Sequence, residues 1–112
     1  MRFSVSSFGK VGRVLKKDDV YTVIDVSKLD RLVVSMTVLH PGKETKGHSH
    51  ADADEVYFFI EGSGKMKVGT KKFAVKKDDI ILIKRGLFHR VFNVSKKELK
   101  FVCVFEKYGD RA

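Results

Sequence analysis

The sequence predicts an all-β fold, a small barrel or sandwich, on three observations. Valine, isoleucine and phenylalanine come in short runs, and glycine, aspartate and lysine turns separate those runs at intervals of about eight to twelve residues. No long stretch carries the 3.6-residue period of an amphipathic helix. The chain is 112 residues long, room for a single domain spanning 1–112 that buries around two-thirds of the surface its unfolded form exposes.

In chain order, the runs place strands at 2–8, 20–26, 32–40, 45–50, 55–61, 65–68, 72–75, 80–83, 89–94 and 99–106. Pro41-Gly42, with the chain's single proline, marks a reversal after the third of these. Glu61-Gly62-Ser63-Gly64 and Val68-Gly69-Thr70 read as hairpin turns, because glycine accepts the positive φ such turns demand. Lys16-Lys17-Asp18-Asp19 and Lys76-Lys77-Asp78-Asp79 are one tetrapeptide used before two different strands, and read as a repeated turn solution.

The formal charge of +9 raises the question of nucleic acid. The lysine pairs are scattered among turns and mostly neighbour acids, and no nucleic-acid motif accompanies them. This argues for a solvated surface and against a nucleic-acid partner. Residues 1–10 hold no continuous apolar segment, and no run approaches the eighteen apolar residues of a membrane helix. The one cysteine, Cys103, lies in an apolar run and reads as a buried core thiol. A cytoplasmic protein without a membrane partner is the expectation. Glutamine and tryptophan are absent, Asn93 is the sole asparagine and lysine is abundant, a bias toward a thermophilic source.

The chemistry concentrates in His48, Ser49, His50, four residues, then Glu55, with His89 far downstream. Successive side chains on a strand alternate faces, so His48 and His50 point the same way and their ring nitrogens can converge on one ion. Glu55 lies an odd number of residues from both, but 51–54 is short, small and acidic enough to turn the chain back. Three imidazoles and a carboxylate form a donor set suited to Fe, Mn, Ni, Zn, Co or Cu in the divalent state, without choosing among them. By the same parity Lys46, Tyr57, Phe59 and Val91 face inward with the ligands, Arg90 faces away from them, and Val56, Phe58 and Ile60 face outward, although for Lys46 a solvated strand end is favoured over entry into the barrel mouth.

The runs Gly42…His48-x-His50…Glu55…Gly62 and Gly86…His89…Asn93 resemble the two motifs of the cupin superfamily, over roughly residues 32–105. The second motif departs from the pattern at Asp78 and Lys84, turn positions where cupins usually have glycine and proline. The resemblance implies a cupin-type double-stranded β-helix, a jelly-roll barrel, with His48, His50, Glu55 and His89 as metal ligands. It also implies a range of reactions: dioxygenases, decarboxylases, sugar isomerases and epimerases all occur among small cupins. The stretches Glu55-Val56-Tyr57 and Gly62-Ser63-Gly64-Lys65-Met66 are similar to those of archaeal cupin-type phosphoglucose isomerases, although no clamp of inward arginines is evident.

An inner wall of Phe59, Met66 and alternate residues of 80–83 and 101–105 is expected to make a mostly apolar small-molecule pocket around the metal. That favours a dioxygenase-type oxidoreductase, with a sugar or sugar-phosphate isomerase and a noncatalytic metal- or metabolite-binding module as alternatives. Tyr57 is the candidate catalytic residue, a nonligand hydroxyl on the ligand face. The outward Val56, Phe58 and Ile60 need cover, from a second copy in a homodimer or from the N-terminal segments folded back.

Overall fold

The computed structural model describes residues 1–107. A 3-10 turn (Val5–Ser7) and the single-turn helix α1 (Phe8–Val11) lead into β1 (Arg13–Lys17), β2 (Tyr21–Val26), β3 (Leu32–Leu39), β4 (Glu55–Glu61), β5 (Ser63–Val68), β6 (Lys71–Lys76), β7 (Ile80–Ile83), β8 (His89–Phe92) and β9 (Leu99–Glu106). Six strands form one sheet in the order β1-β2-β3-β9-β4-β7, and three form another in the order β6-β5-β8, with antiparallel pairing throughout. The sheets face each other as an all-β jelly roll.

Period-two patterning sets which side chains enter. On β3 and β9 buried and half-buried residues alternate without a break, so Val33, Ser35, Thr37 and Leu39 share the inner face with Leu99, Phe101, Cys103 and Phe105 through their register. Phe59, Met66, Val91 and Leu99 are fully buried and plug one end of the barrel. At that end Asn93 is 1% exposed; its Nδ2 donates to Leu39 O and Lys97 O, and its Oδ1 accepts from the Ser95 amide and hydroxyl. The motif asparagine is therefore a pin for the turn before β9. Gly62, at φ +85, turns β4 into β5 where an added Cβ would stand 2.5 Å from the Glu98 carbonyl oxygen, so both conformation and space require glycine.

Three expectations are corrected. Residues 2–8 are not a strand: Phe8 and Val11, three apart on a helical turn, dock with Phe3 on Ile24, Val26, Val34, Met36 and Val102, the outer face of β2, β3 and β9. Residues 45–50 are not a regular strand either. They run beside β8 and pair with it at isolated bridges, Glu44 with Phe92 and His48 with His89. The repeated tetrapeptide, finally, makes two different turns. Lys16 and Lys17 belong to β1, and Asp18 Oδ1 accepts from the Val20 and Tyr21 amides; those two hydrogen bonds hold its carboxyl below the usual carboxylate range. In the second copy it is Asp79 that accepts, from the Lys76 amide, while Asp78 takes φ +79. Side-chain capping by aspartate is shared, but which aspartate acts depends on the strands being joined.

Candidate metal centre

The four expected ligands meet where the two sheets and the 44–50 segment converge. Glu55 opens β4 in the large sheet, His89 opens β8 in the small one, and His48 and His50 come from the segment between β3 and β4. One ligand atom from each of the four lies within 4.8 Å of all the others. The ring centroids of His48 and His50 are 4.4 Å apart, those of His48 and His89 4.5 Å. The alternation argument thus gives the right convergence although the backbone there is not a strand.

The segment is held from outside the barrel. His48 and His89 exchange backbone hydrogen bonds of 3.2 and 2.9 Å, and Thr45 accepts from the Val91 amide through its hydroxyl. Arg90 points away from the ligands, as parity predicts, and donates to Thr45 O at 2.7 Å and to Glu44. On the other side Arg85 donates from its backbone and side chain to Asp54, one residue before Glu55, and also reaches Glu106. The Arg85 guanidinium holds the Asp54 carboxyl below the usual carboxylate range.

The chemistry of the cluster fits a bound cation. His89 Nδ1 lies 3.1 Å from Leu87 O, which makes that nitrogen the N–H donor and leaves Nε2 with its lone pair toward the cluster. Glu55 Oε1 stands 3.3 Å from His50 Nε2 and 3.4 Å from His89 Nε2. Yet Glu55 Oε1 and His89 Nε2, both buried, make no hydrogen bond among the described residues. A buried polar atom left in that state costs about 1–3 kcal/mol, and an ion accepting both lone pairs removes the cost. Glu55 and His89 form the buried floor, His50 is half-buried and His48 exposed, so the cluster opens toward His48. His40 takes no part; its Nδ1 lies 3.1 Å from Glu98 Oε2.

Above the floor is a cavity of about 500 Å³, within the range of small-molecule sites. Its wall is mostly apolar, as expected, with residues 101, 103 and 105 in place but without Phe59, Met66 or residues of 80–83. Phe59 and Met66 are packed in the closed core and do not reach it. Phe101, Cys103 and Phe105 supply the apolar side, while Tyr21, Ser35, Thr37, Thr45 and Tyr57 bring hydroxyl-bearing side chains. Tyr57 stacks on Phe101 at 5.3 Å and meets the His89 ring edge-on at 5.7 Å. Ser35 and Thr37, not singled out from the sequence, were legible in it: they are polar residues on the buried phase of an otherwise apolar alternating run. Lys16 was not, because a bulge between Val14 and Lys16 decides its direction.

With this geometry in place, comparison with known proteins is direct. A family model described as "Cupin domain" matches residues 35–105. The chain belongs to the cupin domain family. The expected fold is borne out: a double-stranded β-helix protein of Klebsiella pneumoniae superposes on this cupin with a TM-score of 0.80 at 24% identity, over 99% of this chain and 92% of that one. KdgF from a Halomonas species gives 0.77 at 12% identity over 88% of each chain. In sequence, the cupin is 29% identical over 99 residues to an uncharacterized protein of Methanocaldococcus jannaschii, covering 88% of this chain and 74% of that protein. It is 30% identical over 100 residues to a glucose-6-phosphate isomerase of Thermococcus onnurineus, covering 78% of this chain and 53% of that enzyme. This cupin thus spans about half the length of that isomerase.

Proposed function

We propose that this cupin holds one divalent transition metal on His48, His50, Glu55 and His89 and uses it to isomerise or epimerise a polyhydroxylated small molecule of the sugar class. The observation that carries the reading is the set of hydroxyl-bearing side chains, Tyr21, Ser35, Thr37, Thr45 and Tyr57, in the wall over the ligand cluster. Similarity to the Thermococcus isomerase points the same way. Oxygen-dependent chemistry, favoured by an apolar pocket, is the alternative reading, since Leu15, Val23, Phe101, Cys103 and Phe105 keep much of the wall apolar while Ser35, Thr37, Thr45 and Tyr21 bring hydroxyls to it.

When bound, a divalent metal supplies a Lewis acid that polarises a carbonyl or hydroxyl oxygen. An aldose–ketose conversion needs no oxidant. One proton leaves a hydroxyl-bearing carbon and one arrives on the adjacent carbonyl carbon, while the hydroxyl proton passes to the former carbonyl oxygen. In this chain Ser35 and Thr37 orient substrate hydroxyls, Phe101 and Phe105 keep water from the reacting face, and Tyr57 Oη is the nonligand group that holds or returns a proton.

Elemental analysis of the purified protein, followed by reconstitution with Mn, Fe, Ni, Co, Cu and Zn, tests the metal. About one ion per chain is expected, with sharp loss in His50→Ala and His89→Ala and none in His40→Ala. Full retention in the His50→Ala/His89→Ala double variant overturns the assignment. Turnover is read by deuterium entry at C1 and C2 of aldoses, ketoses and their phosphates in heavy water, beside oxygen uptake with catechols and diketones. Exchange at carbon supports isomerase chemistry, and oxygen uptake replaces it with the dioxygenase reading. If neither occurs and no added ligand perturbs the metal, the protein is a binding module.

A further inference from the structure

The geometry points to an anion-binding subsite at the cavity mouth, formed by Lys16 and Lys46, so that the molecule held at the metal carries a terminal phosphate or carboxylate at its far end. This rests on the reading of the cluster as a metal site and narrows its substrate class.

Lys16 reaches the mouth through register. It pairs with Val23, Val23 with Thr37, and Thr37 with Phe101, so the four side chains form one row on the inner face, running from the cavity floor to its edge strand. Lys46 arrives independently, two residues before His48 in the segment that carries two ligands. Both lysines line the main cavity and also the adjoining surface cleft, and so stand at the lip where the two meet.

Among the described residues neither Lys16 nor Lys46 has a carboxylate within ion-pair distance. Lys16 Nζ donates to Tyr21 Oη at 3.3 Å, which fixes the ammonium beside the mouth and leaves it further N–H donors. Glu44 pairs with Arg90 and Asp19 with Lys43, while Asp18 accepts from two backbone amides and offsets part of the Lys16 charge from a distance. Two cations without an ion-pair partner among the described residues, at the lip of a cavity whose hydroxyl groups lead to the ligand cluster, suit a polyol with an anion at the end opposite the metal. Lys16 also lies outside the stretch that matches the family model, residues 35–105. The subsite therefore combines a lysine inside the matched stretch with one from the edge strand β1 that precedes it.

The test compares three probes on the Mn-loaded protein by titration calorimetry at low salt: gluconate, with one anionic end; 6-phosphogluconate, with a second end that is phosphate; and glucarate, with a second end that is carboxylate. At least one doubly anionic probe is expected to bind about tenfold to a hundredfold more tightly than gluconate, as charge-assisted hydrogen bonds allow. Which of the two gains decides between phosphate and carboxylate. The gain should collapse in Lys16→Gln/Lys46→Gln with metal content unchanged, and shrink as salt is raised. Equal binding of all three probes, or a gain that survives the double variant, overturns the proposal. A metal-free arm separates it from the reading it rests on: inorganic phosphate should shift the Lys16 and Lys46 amide resonances. Shifts without metal uptake sink the metal centre and leave the anion site; metal uptake without shifts does the reverse.

Discussion

The backbone amide of Gly86 donates to the carbonyl oxygen of His50 at 2.7 Å. This bond joins the turn before His89 to the segment that bears His48 and His50. Arg85, one residue earlier, takes hold of Asp54 beside Glu55. The 84–88 connection thus touches both sides of the 51–54 reversal that carries the chain from His50 to Glu55.

That arrangement makes Arg85 a positioning residue for the ligands. Arg85→Ala is expected to weaken metal binding by about tenfold to a hundredfold, the usual effect of removing a partner that orients a ligand. The melting temperature of the metal-free protein should move little, because the pair is exposed. Competition with a chelator measures the first and thermal unfolding the second. Unchanged affinity would show that the Gly86–His50 bond suffices alone.

Tyr57 lines the cavity from the same strand that delivers Glu55, and the proposed reaction gives it the proton-handling role. Tyr57→Phe should lower turnover by roughly a hundredfold to ten-thousandfold while leaving metal stoichiometry intact. Steady-state rates beside metal analysis decide it. Full activity in the variant reduces Tyr57 to its packing against Phe101 and His89.

Asp78 occupies, at φ +79, a turn position where glycine costs nothing. Asp78→Gly should raise stability by about 1 kcal/mol, the lower end of what a non-glycine residue in that region costs. The hydrogen bond from its amide to Phe59 O is independent of the side chain and is retained. Denaturant unfolding at neutral pH gives the answer, and a loss of stability would mean that the carboxylate does more for the turn than its conformation costs.

The outer face of β4 and β7 remains open. The N-terminal turn covers the β2, β3 and β9 part of that face, and leaves Val56, Phe58, Ile80 and Leu82 at 36, 37, 61 and 73% exposure. Val56 pairs with Leu82 and Phe58 with Ile80, so the patch is a compact, uncharged block at a sheet edge. We propose a second copy of the chain as its cover, since a two-fold contact would lay uncharged surface on uncharged surface and keep the lysines of a +9 chain apart. Sedimentation should show a dimer, and Phe58→Glu/Leu82→Glu a folded monomer. A monomeric parent protein at micromolar concentration would reject it.

The sequence by itself determined the β architecture and the four residues of the candidate metal cluster. Period-two burial is a local property, so β4, β7 and β9 were bounded correctly from the alternation and turns alone. His48, His50, Glu55 and His89 were legible because imidazole and carboxylate at those offsets have few other uses. Tertiary structure decided what surrounds them. Phe3, Phe8 and Val11 look like any apolar run until the outer face of β2 and β3 offers them a place to dock, and residues 45–50 pair with β8 too sparsely to become a strand. Lys16 enters the cavity mouth because a bulge in β1 shifts its register against β2. Side-chain direction at a bulge depends on the partner strand, and a partner more than a turn away is set by packing of the whole barrel, which no local pattern encodes.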